Sequence, residues 1–189
     1  ALPAIQDEFA LDAVLLSWVA NAYLLACGMS LVPAGKIADM VGRKKVFALG
    51  ILIFTTFTVA TAFCPSFFWI IACRIFQGLG AAMTMATSFA IIAAVFPSNE
   101  RGRAIGITVA SVYIGLSVGP FAGGLLTGLL GWRSIFVVNG PIGILSFLLC
   151  LTRIRDEWAD AKGETLDCLG SFLYAVALLG IVYGLSVLP

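Results

Sequence analysis

Three groups of residues in this chain have types and spacings suited to chemistry. Arg74 is the one charge well inside a long apolar run, 67–95, and Gln77, Gly78, Ala81, Thr84, Met85 and Ser88 follow it at steps of three and four, the spacing that keeps side chains on one helical face. A stripe of polar and small residues ending at a cation resembles the wall of a wet cavity. Helix–helix hydrogen bonding accounts for the same stripe, and a shallow arginine can snorkel to the interface. The second group is Gly35–Lys45, where Asp39 stands among Lys36, Arg43, Lys44 and Lys45. Gly35 and Gly42 suit a tight turn between antiparallel helices, and Asp39 can pair with a cation or with the positive end of a neighbouring helix. Such a cluster suits a latch that breaks when helices rock apart, or cations that only set topology. In the third group, Ser111, Gly115, Gly119 and Gly123 recur every four residues around Pro120. This is a groove for close helix packing with a proline kink, suited to sealing a moving bundle or to plain dimer-type packing. Asn21 shares a face with Ser17 and is a further candidate for the cavity wall or for core hydrogen bonding.

Other chemistry has little to work with. There is no histidine, which removes the commonest general base and zinc ligand. The five cysteines (Cys27, Cys64, Cys73, Cys150, Cys168) have no paired spacing and read as small hydrophobes, so no metal site is expected. No G-x-x-x-x-G-K-[ST] run is present. No cofactor and no enzyme activity are expected.

The elements that must position these residues lie in lipid. Of 189 residues, 61% are hydrophobic and 11% charged, with mean hydropathy +1.06, whereas soluble domains carry about 25% charged residues. The net charge of +1 gives no field for nucleic acid. Apolar stretches at 13–34, 46–63, 67–95, 104–126, 134–151 and 168–188 each approach the ~20 residues a helix needs to cross ~30 Å of hydrocarbon. The Gly- and Ala-rich composition favours helices over a membrane barrel. Arg74 then lies roughly 10 Å inside the outer boundary at 1.5 Å per residue. Alternation puts the connections 35–45, 96–103 and 152–167 on one side with nine basic residues, against Arg133 alone on the other. By the positive-inside rule the first group is cytoplasmic and both chain ends face outward. Gly35, Gly42, Lys44, Val46 and Phe47 recur 89 residues later as Gly124, Gly131, Arg133, Ile135 and Phe136. A shift across three spans inverts the copy, as in transporters built from inverted three-helix repeats. The acidic and basic segment from Arg153 to Glu164 reads as a solvated linker.

Gly35, Asp39, Gly42 and Arg43 match the signature G-x-L-a-D-R-x-G-R-[KR] between the second and third helices of the major facilitator superfamily, with Ile37 and Met40 departing from it. The run Arg74–Ala82 resembles the fourth-helix signature R-x-x-Q-G-x-G-a-A, and Gly115–Gly124 resembles the antiporter-associated fifth-helix signature G-x-x-x-G-P-x-x-G-G. The span that follows Leu166-Asp167-Cys168 after a short linker is similar to the fourteen-span drug–proton antiporter branch.

The resemblance implies an all-α membrane protein: spans two to six of an N-terminal transporter bundle (1–151), a cytoplasmic linker (152–167) and a seventh transmembrane helix (168–189). Most of the first helix, with its acidic residue, is expected upstream, and the chain is expected to be a fragment. The implied activity is proton-coupled efflux of small lipophilic or cationic compounds by alternating access, in a multi-pass protein of the plasma or inner membrane. Its partners are lipid, substrate, protons and the remaining helices of a transporter that is monomeric when complete. In that scheme Arg74 and Gln77 serve proton coupling, and Asn21, Gly78, Ala81, Thr84 and Ser88 line the cavity. Gly35, Asp39, Gly42 and Arg43 form the cytoplasmic latch, and Gly115, Gly119, Pro120, Gly123 and Gly124 form the antiporter hinge. Nutrient symport, or a membrane sensor or subunit, are the alternatives.

Overall fold

The computed structural model describes residues 2–187, apart from the side chains at 183 and 185–187; the ends of the two expected units, residue 1 and residues 188–189, lie outside them. The described residues form seven helices: α1 (Leu2–Phe9), α2 (Ala13–Val41), α3 (Arg43–Thr61), α4 (Phe67–Val95), α5 (Ser98–Leu130), α6 (Arg133–Arg153) and α7 (Cys168–Val187). Helices α2 to α6 are long and apolar enough to cross a membrane, and α7 adds the apolar stretch Cys168–Val182. Helices suit this solvent because they satisfy their backbone hydrogen bonds within the segment. Large apolar side chains point outward over much of the surface, Phe121 being 77% exposed, as expected where lipid replaces water.

Helix α4 is the centre of the bundle, packed on α2 and on α3; α3 also packs on α6, and α7 on α2. Glycine makes the α4 contacts close. A Cβ on Gly78 would lie 2.5 Å from the Tyr23 carbonyl oxygen and 2.8 Å from the Ala26 Cβ, and one on Gly80 would lie 2.6 Å from the Phe54 nitrogen. Both sets of neighbours include backbone, which cannot swing aside. Tyr174 ties α7 to α2 by donating its hydroxyl to the Gly28 carbonyl at 3.1 Å. Asp12 caps α2, accepting the Leu15 N–H at 2.7 Å.

The connections are shorter than the hydropathy boundaries suggest. The expected loop 35–45 is helical through Val41, and only Gly42 breaks the chain, with φ of 129°. Gly35 therefore lies within α2 facing α4, where a Cβ would stand 3.8 Å from the Ala86 Cβ, and takes no part in the turn. Likewise 96–103 is helical from Ser98, so Arg101 and Arg103 extend α5 beyond the apolar stretch. Charged flanks mark where a span leaves lipid, but a helix continues past that point until its backbone is interrupted. The inverted copy of the Gly42 turn is Gly131, also at positive φ (80°), between α5 and α6.

At the end of the bundle away from Gly42, Ile5, Leu11, Val19, Ile70, Trp132 and Phe136 form a buried cluster that joins α1, α2, α4 and α6. Helix α5 has no buried residue.

Because backbone atoms bound the space at Gly80, Gly80→Ala should destabilise the bundle by about 1–3 kcal/mol through overpacking. Gly102→Ala, which meets nothing within 4 Å on exposed α5, should be neutral or stabilising by up to about 1 kcal/mol. Thermal unfolding of the two variants in one detergent checks the contrast.

Candidate functional site

The fourth helix carries Arg74 to the junction of α3, α4 and α6. Its Nη1 donates to Gln77 Oε1 at 3.0 Å, Gln77 Nε2 donates to Thr58 Oγ1 at 2.5 Å, and Thr58 Oγ1 donates to the Phe54 carbonyl at 2.6 Å. Gln77 and Thr58 are buried, so one side-chain chain leads from the guanidinium across α4 into the backbone of α3. The guanidinium carbon sits 5.3 Å from the ring centroid of Phe136 on α6, within cation–π range. Arg74 Nε is buried and has no partner among the described residues. The ion pairs there join Lys36 to Glu164, Arg43 to Asp39 and Asp160, and Arg133 to Glu8, so none of the described carboxylates pairs with Arg74. An intramembrane cation with donors to spare is poised to meet an acceptor that another part of the protein, a substrate or water supplies.

Further along α4 toward its C-terminal end, α3, α4 and α6 with Tyr23 of α2 line a cavity of about 460 Å³. Ala81, Thr84 and Ser88 of the sequence-predicted stripe lie on its wall, together with Met85. Arg74, Asn21 and Gly78 do not. Gly78 is consumed by the α2–α4 contact, and Asn21 is half-buried on α2. The opposite wall went unrecognised in the sequence: Asn139, Gly143 and Ser146 of α6 and Thr55 of α3. Spacings of four and seven put Asn139, Gly143 and Ser146 on one helical face, a signal present in the sequence. Thr55 Oγ1 is buried without a partner at this wall. The walls are otherwise apolar, with Phe47, Ile51, Phe54 and Ile142, the mixture expected of a small-molecule site.

At the α2–α3 turn Arg43 Nε and Nη2 both reach Asp39 Oδ1 at 2.8 Å, and Nη2 also reaches Asp160 Oδ2 at 2.8 Å. Asp39, Gly42 and Arg43 therefore come together, joined by a residue from the linker. The stretch read as solvated is docked on this turn. The glycines of α5 are not brought to any partner: a Cβ on Gly115, Gly119 or Gly124 would meet nothing within 4 Å among the described residues, and one on Gly123 would meet only Ile135 Cδ1 at 3.6 Å. Pro120 lies on the same exposed helix.

The opposite end of the bundle carries its own ion pair. Glu8 accepts two hydrogen bonds from Arg133, each 2.6 Å, and one from Trp132 Nε1 at 2.8 Å, while Arg133 stacks 4.4 Å over the Trp132 ring. These bonds hold the Glu8 carboxyl down at about 2, Arg133 contributing most and Trp132 next.

The Major Facilitator Superfamily model matches residues 1–188. The chain belongs to the major facilitator superfamily. Among its superfamily relatives, the "Multidrug resistance protein Stp" of Mycobacterium tuberculosis (strain CDC 1551 / Oshkosh) is 39% identical over 184 residues, covering 97% of this chain and 34% of that protein. The "Riboflavin transporter RibZ" of Clostridioides difficile (strain 630) is 37% identical over 175 residues, 93% of this chain and 38% of that protein. The "Tetracenomycin C resistance and export protein" of Streptomyces glaucescens is 31% identical over 189 residues, 100% of this chain and 35% of that protein. The chain thus spans about a third of the length of these relatives.

Glu8 supplies a pH test of the cluster around Trp132. Its folded-state pKa is depressed, so its stabilisation is fully present above the ordinary carboxylate value of 4.5 and is lost as pH falls toward about 2. The melting-temperature gap between wild type and Glu8→Gln should therefore hold steady from pH 7 to about pH 5. It should narrow at lower pH.

Proposed function

We propose that the transporter of which this chain forms part exports small lipophilic or cationic compounds in exchange for protons, by alternating access. The observation that carries this reading is Arg74: a guanidinium within the bundle, hydrogen-bonded to Gln77 but paired with none of the described carboxylates. A cation at such a site costs about 2.5–3.5 kcal/mol to insert near the bilayer centre, a cost that a purely structural role does not require. In this scheme Arg74 lowers the proton affinity of a carboxylate elsewhere in the transporter when the two approach and raises it when they part. Gln77 fixes the guanidinium by linking it to Thr58 on α3. Two of the relatives bear names of drug resistance or export, which supports efflux.

Substrate would occupy the cavity between α3, α4 and α6, contacting Thr84 and Ser88 on one wall and Asn139 and Ser146 on the other. Gly78 contributes through the α2–α4 contact that shapes it, whereas Asn21 has no place on its wall. Gly42 sets the geometry of the cytoplasmic latch of Asp39 and Arg43, while Gly35 contributes only through its place on α2 against α4. Gly115, Gly119, Pro120, Gly123 and Gly124 give α5 a surface against which a further helix can close. Residues 1–151 would act as one bundle, with 152–167 a cytoplasmic linker and 168–189 a seventh helix, in a monomeric plasma or inner-membrane protein. The segments 35–45, 96–103 and 152–167 would face the cytoplasm.

A second reading, a transporter of a vitamin-like metabolite, is favoured by the similarity to a protein named as a riboflavin transporter. The direction of substrate flux in inverted vesicles, and its dependence on an imposed proton gradient, separates the two.

The test of the main reading uses the full-length transporter in proteoliposomes. Arg74→Ala should abolish proton-driven transport while insertion and thermal stability stay near wild type, and Arg74→Lys should recover only part of the rate. Undiminished coupling in Arg74→Ala would refute the assignment. Ser88→Trp, which fills the cavity, should raise the apparent KM for bulky substrates several-fold and leave proton leak unchanged; equal kinetics would place the substrate elsewhere.

A further inference from the structure

The linker between α6 and α7, residues 154–167, has no side chain buried in the bundle, yet it is held to the α2–α3 turn at five places. Two are backbone bonds: the Arg43 N–H donates to the Trp158 carbonyl at 2.9 Å, and the Ala161 N–H donates to the Asp39 carbonyl at 2.9 Å. Three are carboxylates. Glu157 Oε1 accepts the Lys44 N–H at 2.9 Å, Asp160 pairs with Arg43 at 2.8 Å, and Glu164 pairs with Lys36.

Glu157 has a particular place in this set. Helix α3 begins directly after Gly42, which has no side chain to cap it. The first N–H groups of a helix have no partner within it and carry its positive dipole end. Glu157 satisfies one of them from 113 positions away in sequence. Gly42 makes room for it: a Cβ there would lie 2.9 Å from Glu157 Cγ, and closer still to its carboxylate. Thus the same glycine provides both the turn and the seat for the linker acid.

The clasp is built to release. Asp160 and Glu164 remain 69% and 60% exposed at their side chains, and exposed ion pairs are individually weak. Few apolar contacts and solvent-accessible hydrogen bonds characterise segments that open below the global unfolding limit. Its two ends are nevertheless anchored, at Arg153 where α6 stops and at Cys168 where α7 starts, so it returns to the same turn.

We infer that Glu157 and Asp160 are positioning residues for the cytoplasmic latch: Glu157 caps α3 and Asp160 shares Arg43 with Asp39, so that the docked linker holds the α2–α3 turn and must leave it for the transporter to cycle. The inference rests on the alternating-access part of the proposed function and is independent of substrate and of flux direction.

Two measurements on the full-length transporter test it. In a background without other cysteines, Lys36→Cys with Glu164→Cys should form a disulfide when treated with copper phenanthroline, drop the transport rate at least tenfold, and regain it on reduction. A pair that does not cross-link, or cross-linked protein that transports as fast as the reduced protein, overturns the proposal. By hydrogen–deuterium exchange, Glu157→Ala should speed exchange of the peptide covering 43–47 several-fold while Glu157→Gln, which keeps an acceptor oxygen, stays within twofold of wild type. Equal exchange in wild type and Glu157→Ala overturns the capping role. Neither the cross-link nor the exchange requires the transported compound to be a drug or the coupling ion to be a proton, so an incorrect efflux assignment would leave both results standing.

Discussion

Without a hydrophobic drive between helices, lipid leaves close backbone approach and internally satisfied polar groups to hold this bundle together. The α4 helix meets both demands at once. Gly78 and Gly80 admit the backbones of α2 and α3 on opposite sides of the helix, and Gln77 beside them sends its amide to Thr58. A larger residue at either glycine would part the helices and with them the hydrogen-bonded chain that orients Arg74. Packing and chemistry therefore share a few neighbouring residues.

The two ends of the bundle solve a related problem in the same way. Each places a glycine at positive φ between two helices, Gly42 and Gly131, with a basic residue just beyond it, Arg43 and Arg133. Each basic residue is held by a carboxylate from elsewhere in the chain, Asp160 of the linker on one side and Glu8 of α1 on the other. The turns are inverted copies, but their clamps are not. Glu8, itself exposed, hydrogen-bonds Trp132 of a buried apolar cluster, whereas the linker acids bond to the α2–α3 turn and to Lys36. One end is built into apolar packing and the other rests on exposed ion pairs.

The cavity between α3, α4 and α6 adds to this design by sitting beside the helix that carries the charge without being lined by Arg74 itself. About seven residues, or roughly 10 Å along α4, separate Arg74 from Ala81 on the cavity wall. Arg74 and the cavity wall are thus carried on one rigid rod, and a displacement of α4 moves both.

Much was legible from the sequence because it depends on local chemistry. Composition required lipid, and the spacing of charges marked out the six apolar stretches. Arg74 with Gln77 stood out because a charge inside an apolar run is costly and therefore rare. Family membership followed from the motifs at Gly35–Arg43, Arg74–Ala82 and Gly115–Gly124. Other features needed the fold. The polar face of Asn139, Gly143 and Ser146 carried the right spacing, but only packing shows that it meets Ser88 across a cavity. Gly78, on the same stripe as Ala81, turned out to belong to a helix contact, since a stripe wide enough to face a cavity also faces a neighbour at its edge. The linker is the clearest case: its mixed charges fit a solvated segment equally well, and its docking depends on bonds between residues more than a hundred positions apart. Local composition decides which solvent a segment prefers, whereas the choice among partners of similar chemistry is made by distance, which exists only once the chain is folded.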